Sequence, residues 1–429
     1  MIKPDKFYVV AVDMGYGHQR AAFPFTQMAE GGIIDANNYH GISEDEKKLW
    51  SQQSGLYDFV SYFKKIPILG PAIFGVMDKF QDIDEFYPKR KLLHSTAQQQ
   101  FFFGIVKRGV GKALINQLNK NPLPLLSAFF VPVYFSEYYG YKGQVYCLIC
   151  DADISRSWAP INPTKSSTIY FASTERARQR LMMYGVKDKN IIVTGFPLPK
   201  ENIGGEDKPI LKADLSKRLA RLDPTGTFRK TFGSFVASDI GLLDHTKSTA
   251  PVTITFAVGG AGAQRELAEE FLPSLKPLLK DNKLKLNLVA GSRLEVKEYF
   301  SELLKTTGLN HHKNVQIIYH SKKADYFKIF NRTIRTTDIL MTKPSELSFY
   351  AGLGLPILMA PIVGAQEREN RSWLFSIGAG LDAENPKYMG EWLMDWLNDG
   401  RLARAAWQGY LEAENLATYK IEKIICQRG

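Results

Sequence analysis

Residues 7–22 read FYVVAVDMGYGHQRAA. A β-branched and aromatic run stops at Asp13 and gives way to Gly15, Gly17 and His18, and a helical stretch follows. An apolar run of this length without polar alternation suits a strand buried on both faces of a parallel sheet. Glycines straight after such a strand let the backbone pass close to a ligand, and the following helix start turns N–H groups toward it. The second half repeats the pattern: FAVGGAGAQRELA begins at Phe256, with Gly259, Gly260 and Gly262 between an apolar run and a helix expected to start near Gln264.

Other strand-like runs lie between and after these two. They are QVYCLIC, TIYFAS and NIIVTG in the first half, then LKLNLVAGS, VQIIYH, DILMT and PILMAP in the second. Strands alternating with longer helical stretches predict an α/β protein with two Rossmann-like domains, whose ligand sits at the carboxyl ends of the strands, in the cleft between them. A chain of 429 residues is long enough for two cores. The junction is expected within 196–250, which opens FPLPKENIGGEDKP and contains the helical ILKADLSKRLARL. This gives domains of 1–200 and 201–429. The tail from about Glu391 is expected to be helical, with Trp392, Trp396 and Trp407 packing it onto the body.

Composition narrows the class. The chain is 45% hydrophobic and 23% charged, as a globular protein is. It shows no apolar or Arg-rich leader and no apolar run of about 18 residues, so export and a membrane span are not expected. Three cysteines make no disulfide framework and fit a reducing cytoplasm. The net charge of +11 calls for an acidic partner. No nucleic-acid-binding pattern accompanies it, which favours a phosphorylated ligand or an anionic surface over nucleic acid. Residues 56–114 are aromatic-rich and dotted with Lys and Arg; they read equally as a membrane-surface or acceptor segment and as a pair of core helices.

Four stretches together, DMGYGHQRAA (13–22), STERARQRLMMYGVKDKNIIVTGFPLP (173–199), VGGAGAQ (258–264) and TKPSELSFYAGLGLPILMAPIVGAQEREN (342–370), resemble GT-B glycosyltransferases. The nearest kin are monogalactosyldiacylglycerol synthases and the enzyme that adds N-acetylglucosamine to lipid I. The resemblance implies a GT-B fold, two Rossmann-like domains facing each other across a cleft with a C-terminal helical tail. The first domain would hold the acceptor and the second a nucleotide sugar. The implied activity is hexosyl transfer, inverting, from a UDP-linked donor to a lipid-like acceptor at the inner face of a membrane, with no metal and no cofactor.

Transfer of this kind needs a base for the acceptor hydroxyl, positive potential for the departing diphosphate, and a held sugar. His18 matches the family's histidine and would be the base or would orient acceptor or phosphate; Asp13 is the alternative base or its orienting partner. Gly15 and Gly17 belong to the same acceptor-side turn. The donor phosphates would lie on Gly259, Gly260, Gly262, Ala263 and Gln264. The donor ribose would fall to Glu346, which stands one helical turn earlier than the family's glutamate, where counting back from Pro356 reaches Phe349. Gln366, Glu367 and Asn370 match the sugar-holding element. Asp151, Asp153, Arg156 and Trp158 are acceptor-side candidates, and the Asp-x-Asp of 151–153 is not expected to bind a donor metal. Two other readings remain: a nucleotide-sugar epimerase or hydrolase of the same fold, with acidic residues at the sugar, and a non-catalytic nucleotide-sugar-binding protein.

Overall fold

In a computed structural model the described residues are 6–50, 83–241, 250–259, 262, 264–362 and 364–428. The chain divides into two compact units. The first comprises Met1–Pro197 with Gly364–Glu369 and Leu416–Gly429, and the second Leu198–Val363 with Asn370–Asn415.

The first unit is built on a parallel sheet of β1 (Phe7–Ala11), β2 (Ala29–Asp35), β3 (Leu125–Ser127), β4 (Val145–Leu148), β5 (Ile169–Ala172) and β6 (Ile191–Val193). Its order is β2-β1-β3-β4-β5-β6. The second contains β7 (Val252–Ala257), β8 (Leu284–Gly291), β9 (Val315–Tyr319), β10 (Ile339–Thr342), β11 (Ile357–Met359) and β12 (Gly380–Asp382), all parallel, in the order β12-β11-β10-β7-β8-β9. Read from the other edge this is 3-2-1-4-5-6, the Rossmann order. Every residue of β7 is buried, as a central strand covered on both faces requires. Two Rossmann-like units and a helical C-terminal tail make this a GT-B fold.

Strand order fixes where a ligand would go. In an open parallel sheet the crevice opens where the order reverses, at the carboxyl ends of the two central strands. In the first unit those strands are β1 and β3, and in the second β7 and β10. The two glycine-rich turns quoted above follow β1 and β7, so each emerges at its sheet's switch point.

The tail is fixed by packing. Trp392 and Trp396 in the helix Met389–Asn398 are buried, their rings 4.7 Å apart, and Trp407 is buried in the helix Arg401–Glu412. The latter helix lies against the 3₁₀ helix Glu346–Leu353 so closely that a Cβ on Gly409 would stand 2.6 Å from the Ala351 carbonyl oxygen. The last helix, Ala417–Arg428, packs on Phe23–Phe25 of the first unit. Gly409→Ala is therefore expected to cost about 1–3 kcal/mol through overpacking. A melting temperature equal to that of the unsubstituted chain would show that the two helices can move apart.

A buried cation closes the underside of that 3₁₀ helix. Arg218, on the helix Pro209–Leu222, donates to the carbonyls of Thr337 (2.8 Å), Leu353 (2.7 Å) and Gly354 (3.2 Å). These are orphan carbonyls at helix C-termini, where a positive charge is favourable. Complete burial pushes the Arg218 guanidinium down to about 10, Asp338 and Asp214 acting in the opposite sense. Asp338 in turn takes Arg221 and the Thr253 backbone N–H, binding the start of β10 to β7.

Candidate functional site

The first-unit turn leaves β1 through two glycines. Gly15 sits at φ +109°, a conformation glycine adopts without strain, and no atom lies within 4 Å of where its Cβ would be. Gly17 opens a helix of only six residues, Gly17–Ala22. Its dipole is accordingly small, and the N–H groups at its start are what the turn offers. Asp13 is exposed, and its backbone is locked to Asn37 by two bonds, Asp13 N to Asn37 Oδ1 (3.0 Å) and Asn37 Nδ2 to Asp13 O (3.1 Å).

The His18 side chain is held by the end of β3. Its Nδ1 lies 2.8 Å from the Ala128 carbonyl oxygen, just beyond β3. A carbonyl only accepts, so Nδ1 carries the proton and the neutral ring keeps its lone pair on Nε2. Ala128 is itself fixed, donating its N–H to Val10 O at 2.9 Å. The imidazole sits 4.5 Å from the Phe129 ring and 5.9 Å from Trp158, centroid to centroid. Trp158 is buried at the end of the 3₁₀ turn Arg156–Trp158, against Phe129 and Phe130. A half-buried imidazole, fixed in one tautomer among aromatic rings, is what a proton acceptor beside an apolar group requires.

Two acceptor-side candidates take structural places instead. Asp153 is fully buried and holds Arg180 in a two-bond fork, Nε to Oδ1 and Nη2 to Oδ2, both 2.8 Å. Arg176 Nε adds a third bond at 2.7 Å, and the Ile154 N–H a fourth at 2.8 Å. This carboxylate has no surface left for an acceptor; burial made it an ion-pair centre. Arg156 is equally buried, donating to the carbonyls of Ala159, Pro160 and Leu93. Asp151 remains half-buried at the end of β4, its carbonyl accepting from the Ser173 hydroxyl. Thr174 caps the helix Glu175–Met183, accepting from Ala177 N at 3.0 Å.

At the second switch point, the Gly262 N–H donates to Gly259 O at 2.7 Å, closing a tight turn. Gly262 has φ +70°. Gln264 also lies in the left-handed region, φ +66°, with its amide donating to Pro361 O. Such a backbone costs a non-glycine residue about 1 kcal/mol or more and tends to gather at functional sites. The expected helix begins three residues later, at Leu267. Gly260 and Ala263 lie outside the described residues.

β10 ends at Thr342, whose hydroxyl donates to Ala257 O at 3.1 Å, and Lys343 follows beside the turn. Glu346 is the first residue of the 3₁₀ helix Glu346–Leu353 and is half-buried. Phe349, where the family's glutamate was expected, is buried with its ring 4.7 Å from Trp373. In a 3₁₀ helix residues i and i+3 eclipse. Glu346 therefore lies on the same file as Phe349, one turn nearer the strand end. Asn370 is fully buried and donates to Pro344 O at 3.4 Å. Gln366 is half-buried and Glu367 nearly buried on the first turn of the helix Ala365–Ser376; that turn packs with the first unit, and Asn370 with the second.

Of the basic aromatic segment 56–114, residues up to 82 lie outside the described ones. The remainder contains the helix Ala97–Lys107, which buries Phe102, Ile105 and Val106 and leaves Phe101 exposed. Among the described residues no helix is long and apolar enough to cross a membrane.

Residues 295–420 match a family described as Domain of unknown function (DUF6938). Two processive diacylglycerol beta-glucosyltransferases are similar to most of the chain. The protein of Bacillus pumilus (strain SAFR-032) is 21% identical and that of Bacillus subtilis (strain 168) 20%, each over 307 residues. The similarity takes in 70% of this chain and 65% of each relative, less than two thirds of their length. Among solved structures, Acinetobacter baumannii MurG is 14% identical, covers 98% of both chains and superposes with a TM-score of 0.48. The chain resembles GT-B glycosyltransferases, as the four stretches of its sequence implied.

Proposed function

We propose that the chain is a nucleotide-sugar-dependent glycosyltransferase that moves a hexosyl group from a UDP-linked donor to a lipid-like acceptor, with inversion at the anomeric carbon. The observation that carries this reading is His18, held through Nδ1 by a carbonyl at one switch point with its ring set among aromatic side chains. A second glycine turn at the other switch point supplies the phosphate cradle the donor needs. The similarity to diacylglycerol glucosyltransferases supports a lipid acceptor and, with it, a peripheral place at the inner face of a membrane.

In this reaction the acceptor hydroxyl gives its proton to His18 Nε2 as its oxygen bonds to the anomeric carbon. The bond from that carbon to the diphosphate breaks, and its electron pair leaves with UDP. Asp13 stands on the rim of the turn as a polar neighbour of the acceptor. Glu346 accepts the ribose hydroxyls, and Gln366, Glu367 and Asn370 hold the hexose. The first unit receives the acceptor and the second the nucleotide, and neither a metal nor a cofactor takes part. The epimerase or hydrolase reading asked for acidic groups at the sugar; Asp153 is consumed by Arg180 and Arg176, which leaves it the exposed Asp13 and the half-buried Asp151.

Calorimetric titration with UDP, GDP and ADP, without added metal, tests the donor side. Incubation of UDP-hexoses with diacylglycerol micelles, followed by product analysis, tests the acceptor side. Saturable UDP binding and a glycolipid product are expected. Free hexose without glycolipid would favour the hydrolase, and no binding of any nucleotide would end the reading.

Glu346→Gln is expected to weaken UDP about tenfold or more, the scale of a hydrogen bond to a charged group. The unsubstituted protein should discriminate against 2′-deoxy-UDP, and the variant should not. Equal discrimination in both would pass the ribose contact to another side chain.

A further inference from the structure

Gly259 and Gly262 differ in what their missing side chains make room for. A Cβ on Gly259 would stand 2.9 Å from Lys343 Cε and 3.3 Å from its Cδ, with Nζ at 3.6 Å. Gly259 is not in the left-handed region, so space is its reason for being glycine. A Cβ on Gly262 would meet Val296 Cγ2 at 2.9 Å, with Arg293 Cδ at 3.9 Å. Lys343 begins directly after β10 and Arg293 two residues after β8, the strands on either side of β7. Two basic side chains thus come to the glycine turn from its two neighbouring strand ends. Both are half-buried, and Arg293 is also paired with Glu295 at 3.3 Å.

Resting on the reading of this turn as the donor-phosphate cradle, we infer that Lys343, seconded by Arg293, binds the donor diphosphate and supplies the positive charge that stabilises it as it departs. Backbone N–H groups contribute only partial charges, whereas the leaving UDP gains a full negative charge at its β-phosphate. Lys343 is the better placed of the two cations. The Thr342–Ala257 bond pins its backbone to the end of β7, and the absence of a side chain at Gly259 lets its ammonium reach over the turn. Arg293 stands further from the turn, its Cδ 3.9 Å from where a Gly262 Cβ would be, and is expected to contribute less.

The test is titration of the full chain with UDP, UMP, uridine and inorganic pyrophosphate. Lys343→Gln is expected to lower UDP affinity about tenfold or more and leave uridine binding unchanged, and Lys343→Arg to recover part of the loss. Arg293→Gln should cost about threefold. Gly259→Ala displaces the lysine without removing its charge and should weaken UDP and pyrophosphate alike. Equal UDP affinity in Lys343→Gln and the unsubstituted protein, which itself binds UDP, would overturn this inference and leave the glycosyltransferase reading standing. Pyrophosphate binding that Lys343→Gln abolishes, in a protein that binds no nucleotide, would keep the anion site and remove the transferase. Binding of neither ligand would overturn both.

Discussion

Replacing His18 by alanine is expected to reduce sugar transfer about 10²–10⁴-fold, the range of a lost general base, with UDP affinity unchanged. The expectation follows from geometry. The Ala128 carbonyl holds Nδ1, so Nε2 is the only nitrogen of the neutral ring able to take a proton. His18→Asn sharpens the test, because asparagine keeps a donor for Ala128 and brings no basic nitrogen. If His18 merely oriented the acceptor, asparagine would restore much of the rate; if it is the base, asparagine will be as slow as alanine. A large loss of UDP affinity in either variant would move His18 away from the acceptor.

The largest effect on stability is expected from Asp153→Ala. Arg180 is fully buried and its charge is balanced by this carboxylate through two bonds. Removing one partner of a buried pair costs about 3–5 kcal/mol, because the survivor is left charged without solvent. Urea unfolding measures it, and a loss under about 1 kcal/mol would mean that water enters the site. The double variant Asp153→Leu with Arg180→Met should recover much of the loss, since an apolar pair of similar volume replaces a buried ion pair well. Arg176, 40% exposed, can turn its guanidinium to solvent and to Glu369. Activity should fall in Asp153→Ala as well. The Ile154 carbonyl takes the Tyr184 hydroxyl in the same corner, and this corner carries Trp158 to the His18 ring.

The strands read correctly from the sequence were those carried by runs of β-branched, leucine, methionine or aromatic residues, with polar residues on one face tolerated, as Lys285 and Asn287 are in β8. β1, β4 through β6 and β8 through β11 fall within the runs quoted at the outset, and the run that begins at Phe256 takes in the end of β7. The strands not anticipated lack that signature. β2 is AEGGIID, glycine-rich and half-exposed at a sheet edge, and β12 is GLD, an edge strand with a single apolar side chain. β3 is central but only three residues long, inside the continuous LPLLSAFF. Both glycine turns were legible because a backbone that must pass close to something has few residues to choose from. Asp153 was misplaced because its partners lie 23 and 27 residues further on, and an Asp-x-Asp says nothing of them. Lys343 was passed over for the same reason. Its meaning depends on Gly259, a neighbour only once β10 lies beside β7.

The winding of Glu346–Leu353 also sets a length. Eight residues at about 2.0 Å each in a 3₁₀ helix cover about 16 Å, against about 12 Å at the α-helical rise. The connection from β10 to β11 therefore covers more length per residue than an α-helix of the same eight residues would. Phe349 and Gly352 follow Glu346 on one file, the first wedged against Trp373 and the second against Leu198 and the Glu414 carbonyl. With both inner members anchored, the carboxylate at the outer end is set to depth by packing two turns away. Relaxing the segment into an α-helix would shorten it by about 4 Å and draw that carboxylate back from the strand ends.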